Sequence, residues 1–225
     1  MNRTLRSIQK VEARLEVLTG LHIGAGDLEM RIGGIDNPVI RDPDGFPYIP
    51  GSSLKGKMRS LLEWRSGALR DHNPLGKAAA RDERARPILM LFGVGGGDAV
   101  PELMPSRLSV ADAPLSEKDR LPGRNAPLTE AKFENSIDRI KGTATNPRQT
   151  ERVVPGTSFD FTATIRVFEG DGDLVLVALL LEGMALLERD ALGGSGSRGY
   201  GKIAFRDVEV NGKARSLPDP FANAA

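Results

Sequence analysis

The chain has 225 residues, enough for one domain or one domain with large insertions. Its 31 basic and 30 acidic residues leave a net charge of +1, so any contact with a polyanion has to come from local clusters and backbone amides rather than an overall field. With no cysteine and two histidines, disulfides, a thiol nucleophile, cysteine-ligated zinc and a multi-histidine zinc site within one chain are excluded, and the lack of cysteine is compatible with a cytoplasmic setting.

The first ten residues are polar and hold no signal-peptide core. Val11, Ala13, Leu15 and Val17 alternate with Glu12, Arg14 and Glu16, the period of a strand with one buried face. A glycine-rich stretch follows from Gly20 to Gly34. Val39-Ile40 and Tyr48-Ile49 flank Asp42-Pro43-Asp44-Gly45, which predicts a small hairpin. Leu54, Met58, Leu61, Leu62 and Arg65 share one face of a helix that is expected to reach about Ser66, capped by Ser52 or Ser53. Residues 67–87 are polar, basic and turn-rich and read as a surface insertion. Residues 107–112 alternate again, giving a second strand with Leu108 and Val110 inward. Residues 113–155 read as polar and irregular, and a loop of that length is usually functional.

Phe159, Phe161, Ala163, Ile165 and Val167 form the clearest period-two run. Gly170-Asp171-Gly172-Asp173 turns the chain into a helix predicted over residues 174–191, apolar on most sides and therefore buried, ending before Gly193-Gly194. Its apolar stretch is interrupted by Glu182 and Gly183 and is too short to span a bilayer, so no membrane partner is expected. Ile203 and Phe205 are out of phase with Val208 and Val210, which predicts a β-bulge at Arg206-Asp207, and Asn211-Gly212 is a turn. Without insertions the order is strand, helix, strand, strand, helix, strand. This predicts an α+β, ferredoxin-like βαββαβ fold of the kind shared by RNA-recognition modules, one domain over residues 1–225 with insertions at about 20–50, 67–105 and 113–157.

Three glycine-containing motifs bear on chemistry. Residues 51–58 nearly spell a phosphate-binding loop, but Met58 stands where magnesium ligation needs a hydroxyl, so nucleotide hydrolysis is not supported. The anion-binding half of that logic survives: Lys55 and Lys57 sit in a first helical turn where the helix dipole disfavours cations, and a phosphate held by Ser52, Ser53, both lysines and Arg59 would reverse the conflict. The bland alternative is a capped, solvated helix start. Gly194-Ser195-Gly196-Ser197-Arg198-Gly199 has the spacing of a dinucleotide loop but follows a helix and precedes a strand, so that reading fails. Its glycines permit close approach of a ligand, Arg198 can pair with phosphate, and Tyr200 can stack on a base. Gly20-Leu21-His22-Ile23-Gly24 places a histidine in a glycine-flanked bend, a structural position more often than a catalytic one. Gly33-Gly34-Ile35-Asp36-Asn37-Pro38 sets a carboxylate among turn formers, and a turn-forming Asp explains it as well. Arg139 and Arg148 belong to a polar segment whose bland reading is a surface loop.

Taken together, Gly20 to Gly26, the G-G-I-D-N-P-V-I-R-D run at 33–42, I-P-G-S-S-L-K-G-K-M-R at 49–59, S-R-L-S-V-A-D-A at 106–113, E-N-S-I-D-R-I-K-G-T-A at 134–144, P-R-Q-T-E-R-V-V-P-G-T-S-F at 147–159 and G-G-S-G-S-R-G-Y-G-K-I at 193–203 resemble the RAMP superfamily, in particular the backbone subunits of type III-A CRISPR effector complexes. The resemblance covers nearly the whole chain. It implies a modified RNA-recognition fold with a lid and a thumb hairpin that interrupts the guide–target duplex, and a homo-oligomeric filament on CRISPR RNA beside the other Csm subunits. It also implies cleavage of single-stranded target RNA at regular intervals with a divalent cation, expected to be Mg2+, and dependence on Asp36, with His22 as a possible accessory. Asp36 would hold the cation or orient the ribose 2′-hydroxyl. A non-catalytic filament subunit, the backbone subunit of the related Cmr complex, or a CRISPR RNA-processing endoribonuclease are the rival readings.

Overall fold

The alternating run near the start of the chain forms β1 (Leu5–Val17), and it becomes the centre of a sheet. The computed structural model describes residues 3–26, 36–94, 100–120 and 127–222. β5 (Ser158–Phe168) and β6 (Ile203–Val210) flank β1, both antiparallel to it; β2 (Leu108–Val110) pairs with the far edge of β5 and β7 (Lys213–Ala214) with β6, giving the order β2-β5-β1-β6-β7. Two helices, α1 (Gly51–Ser66) and α4 (Asp173–Arg189), follow β1 and β5 and pack against each other. The order β2-β5-β1-β6, with α1 following β1 and α4 following β5, is the ferredoxin-like arrangement that the element pattern predicts.

The period of two decides which sheet face is covered. Val11, Leu15 and Val17 of β1 and Phe159, Phe161, Ala163, Ile165 and Val167 of β5 lie within the core, while Glu12, Arg14, Glu16 and Arg166 are only half-buried. Phe161 meets Phe205 edge to face with centroids 5.3 Å apart. The bulge at Arg206-Asp207 is present: Glu12 and Arg14 of β1 face Glu209 and Arg206, so β6 carries one extra residue, and Asp207 takes φ 54°. Asn211 and Gly212, both at positive φ, close the β6–β7 hairpin with a two-residue loop.

Several local expectations are corrected. Neither Ser52 nor Ser53 caps α1; Pro50 occupies the cap position, and Asp112, just past β2, accepts the Gly51 N–H through Oδ1 at 2.7 Å. α4 ends at Arg189 rather than against the glycines, and the Lys202 ammonium donates to the terminal carbonyls of Arg189 and Asp190. Its N-terminal turn leaves Leu174 and Val175 exposed, so it is buried on one side only there. Residues 67–87 are not merely a surface insertion, because Ala68, Leu75, Ala80 and Ala85 join the core and lead into α2 (Arg86–Phe92), a short helix started by Pro87. The hairpin expected at 39–49 is reduced to single bridges, Arg41 with Pro47 and Ile49 with Ala113, around a turn held by Asp42.

The largest correction concerns residues 113–155. After α3 (Glu117–Arg120), this stretch is not irregular: β3 (Thr129–Ile137) and β4 (Ala144–Val153) form an antiparallel two-stranded sheet of their own. Both of its faces carry polar residues, so no apolar alternation announces it.

Candidate functional site

The second sheet has one edge that pairs within the hairpin, as β3 with β4. The other edge of β4 is taken by two short segments from the loop after β1. Leu21 exchanges backbone hydrogen bonds with Val153, and Asn37 donates to the Gln149 carbonyl and accepts from the Glu151 N–H. Between these backbone contacts, two side chains complete the edge. Asp36 Oδ2 accepts the Gln149 N–H at 2.8 Å, and His22 Nδ1 lies 2.6 Å from the Glu151 carbonyl oxygen. A carbonyl only accepts, so Nδ1 carries a hydrogen and donates it here, leaving Nε2 as the other ring nitrogen. The β4 edge therefore holds Asp36 and His22 two strand residues apart, about 7 Å along the strand. Asp36 is exposed, and among the described residues its other carboxylate oxygen has no bond; His22 is half-buried. Gly33 and Gly34, which flank Asp36, lie outside the described residues.

Glu151 ties this edge down. Its carboxylate accepts the Val39 N–H at 2.9 Å and pairs with Arg41. Burial alone would raise its pKa, but hydrogen bonds from Thr129 and the Val39 amide and the charge of Arg41 outweigh that and hold it below the ordinary glutamate value.

The glycine loop meets the same region from the other side. Gly194 donates its N–H to the His22 carbonyl at 2.9 Å. A Cβ on Gly193 would stand 2.3 Å from that carbonyl oxygen, and one on Gly201 2.0 Å from the Leu192 oxygen, with φ at 76° and 73°. These two glycines serve close approach of the chain to itself, not the ligand approach that the sequence suggested. Tyr200 is likewise corrected: it is fully buried and cannot stack on a base. Its hydroxyl donates to Glu134 Oε1 on β3, and Lys132 and Arg152 lie over its ring at 4.4 and 5.0 Å from the centroid. Burial, then Glu134, pushes the phenol above its usual range. Glu134 also pairs with Arg148 and Arg198 at 3.3 Å each; burial would raise its pKa, but the Tyr200 and Arg148 hydrogen bonds and the charges of Arg198 and Lys132 hold it low.

The remaining predicted residues divide. Arg198 stays exposed beside the hairpin, and Arg139 sits at its exposed tip, where Asp138 Oδ1 accepts the Ile140 and Lys141 amides. The tip presents Ile140, 96% exposed, and the strand below it Phe133 and Ile137, also exposed. Phe133 is the cross-strand partner of Gln149, whose amide holds Asp36. On α1, Lys55 donates to the Leu108 carbonyl, and burial followed by the neighbouring charges of Arg59 and Arg166 lowers its pKa. Lys57 pairs with Asp190 at 2.6 Å near the surface. Arg59 is committed to the fold, binding buried Glu63 and the Leu75 carbonyl. The helix start is not an open phosphate cradle: Asp112 takes the Gly51 amide and the Pro50 carbonyl that of Ser53, while Ser52 is exposed and Ser53 half-buried. Sequence reasoning missed Asp112 and Glu134; the first had a signal, a carboxylate directly after a strand that feeds a helix start.

Among the described residues, no group of three or more His, Asp or Glu side chains converges as a metal-binding cluster, and no helix is long and apolar enough to cross a membrane. The chain nonetheless matches known proteins over nearly its whole length. Residues 14–204 match the profile of the RAMP superfamily. The protein named CRISPR system Cms endoribonuclease Csm3 from Methanocaldococcus jannaschii is 42% identical over 211 residues, 93% of this chain and 83% of that protein. Its namesake from Mycobacterium tuberculosis is 40% identical over 223 residues, 92% of this chain and 90% of that protein. Among solved structures, a chain in the crystal structure of the Csm3-Csm4 subcomplex of the type III-A CRISPR-Cas interference complex aligns with a TM-score of 0.58 and 33% identity, covering 92% of this chain and 80% of that one. The cryo-EM structure of the type III-B Cmr-beta complex bound to cognate target RNA shares the fold, with a TM-score of 0.61 at 18% identity over 90% of this chain and 60% of that one.

Proposed function

The chain belongs to the RAMP superfamily and to its Csm3 family, and from that premise we propose that it is a CRISPR RNA-binding backbone subunit of a type III-A interference complex and an endoribonuclease that cuts guide-paired target RNA at regular intervals. One observation carries the assignment of the chemistry. Asp36 is exposed, pinned to the β4 edge through one oxygen, and has its other oxygen directed to no protein group among the described residues. It is held by Gln149, the cross-strand partner of exposed Phe133, on a hairpin that also exposes Ile137 and Ile140, which supports the reading of β3–β4 as the element that interrupts the guide–target duplex.

The residues present fit a divalent cation in a limited way. Magnesium takes one or two protein carboxylates and completes its shell with water and phosphate oxygens, so Asp36 beside RNA suffices as the protein ligand. The cation, expected to be Mg2+, would neutralise charge developing on the scissile phosphate. Asp36 alternatively orients the ribose 2′-hydroxyl for in-line attack, and its single free oxygen serves either role. His22, fixed by its Nδ1–H to the Glu151 carbonyl, presents Nε2 toward RNA. Lys57, Arg139 and Arg198 contact phosphates without reading bases, with Arg148 held behind them by Glu134. Copies assemble head to tail on the guide as an open filament, together with other Csm subunits, in the cytoplasm.

The test is to load the purified chain with guide RNA, add complementary target, and resolve products with and without magnesium. A ladder of evenly spaced products that needs magnesium supports the reading. Intact target under both conditions, with guide and target bound, would instead leave a filament subunit without chemistry.

A further inference from the structure

Tyr200 is the fully buried point where the glycine loop meets the hairpin. The loop belongs to the ferredoxin-like core: Leu192 and Gly201 bond each other, and Gly201 donates to the Gly20 carbonyl. The groups around Tyr200 belong to the hairpin instead. Lys132 and Glu134 come from β3 and Arg152 from β4. Arg152 reaches the ring across Gly20, where a Cβ would come within 2.3 Å of Arg152 Cδ, and is held by Glu130 at 2.7 Å. An aromatic ring under two cations is attractive at fixed geometry, because both cations are directed toward the electron-rich ring. Asp36, for its part, hangs on the same hairpin through Gln149, three residues before Arg152.

We infer that Tyr200 is a positioning residue: its ring, gripped by Lys132 and Arg152, sets the angle of the hairpin on the core, and so places Asp36 against an RNA backbone held by the core. This rests on the proposed endoribonuclease reading and adds a residue that never touches RNA. The ring, rather than the hydroxyl, carries the role, since the two cations contact the ring and Glu134 keeps Arg148 and Arg198 without the phenol.

The experiment compares assembled complexes of wild type, Tyr200→Phe, Tyr200→Leu, the double variant Lys132→Met/Arg152→Met, and Asp36→Ala. Single-turnover cleavage at saturating target is measured beside guide affinity, target affinity and complex size. Tyr200→Phe keeps the ring and is expected to cleave within about twofold of wild type. Tyr200→Leu is expected to lose tenfold or more in cleavage rate, with both affinities and complex size near wild type. The double variant attacks the same grip from half-buried hairpin residues, keeps Tyr200 itself, and is expected to show the same loss, so the inference stays testable if Tyr200→Leu does not fold. A double variant that cleaves like wild type overturns the inference, as does a rate loss matched by an equal loss of guide or target affinity. If Asp36→Ala still cleaves, the endoribonuclease assignment of Asp36 fails; if Asp36→Ala is inactive while the Tyr200 and double variants are unimpaired, only the positioning role fails.

Discussion

Lys55, Lys57 and Arg59 read alike in the sequence, as three cations near one helix start, yet the structure gives them three different tasks. Arg59 satisfies Glu63, which is 4% exposed, and the Leu75 carbonyl. Replacing Arg59 with Ala leaves a buried carboxylate with little compensation, a loss of about 3 kcal/mol. Lys57 sits in a near-surface pair with Asp190, which contributes about 0–1 kcal/mol. Thermal melting and a salt titration of guide binding separate them. Arg59→Ala should lower the melting temperature by about 6–12 °C. Lys57→Ala should leave it nearly unchanged and reduce the slope of log affinity against log salt by about 1. A stable Arg59→Ala variant, or a Lys57→Ala variant with an unaltered slope, would reverse the division. Residue type and spacing made the basic cluster legible, but not which of its members the fold consumes. Asp36 shows the same limit: its place among glycines and Asn-Pro marked it only through the family resemblance, because what fixes it is a backbone amide of Gln149, and backbone groups leave no trace in a sequence.

At the scale of elements, the strands with one apolar face were legible, down to the bulge at Asp207 and the turn at Asn211-Gly212. The hairpin β3–β4 was not, because its half-buried residues Lys132 and Glu134 are charged and find partners rather than an apolar core. α2 was missed for a different reason, since seven residues are too few to display a helical period. The exposed apolar residues of the hairpin yield a further prediction. Phe133, Ile137 and Ile140 contribute little to folding, so replacing all three with Ala should shift the melting temperature by no more than about 1–3 °C. If the hairpin enters the guide–target duplex, the same variant loses target cleavage while guide affinity persists. Wild-type cleavage by the triple variant would show that these side chains do not engage the duplex.

The whole molecule is a ferredoxin-like core carrying a hairpin whose outer edge holds the candidate chemistry. The sheet supplies the rigid part, with β1 at its centre, and the loop after β1 supplies both Asp36 and His22 to β4. On the proposed reading, near-neutral net charge is no obstacle to RNA binding, because cations of α1, the glycine loop and the hairpin tip would supply the contacts rather than an overall field. Chemistry and assembly are separable in this arrangement, since the Asp36 side chain is exposed and supports no core packing. Losing its bond to the Gln149 amide should cost on the order of 1 kcal/mol. The most direct test is target cleavage by Asp36→Ala in complexes of verified size, with guide affinity, target affinity and melting temperature measured on the same preparation. No cleavage above background is expected, with both affinities and complex size near wild type; cleavage at the wild-type rate by correctly assembled Asp36→Ala would remove this residue from the chemistry.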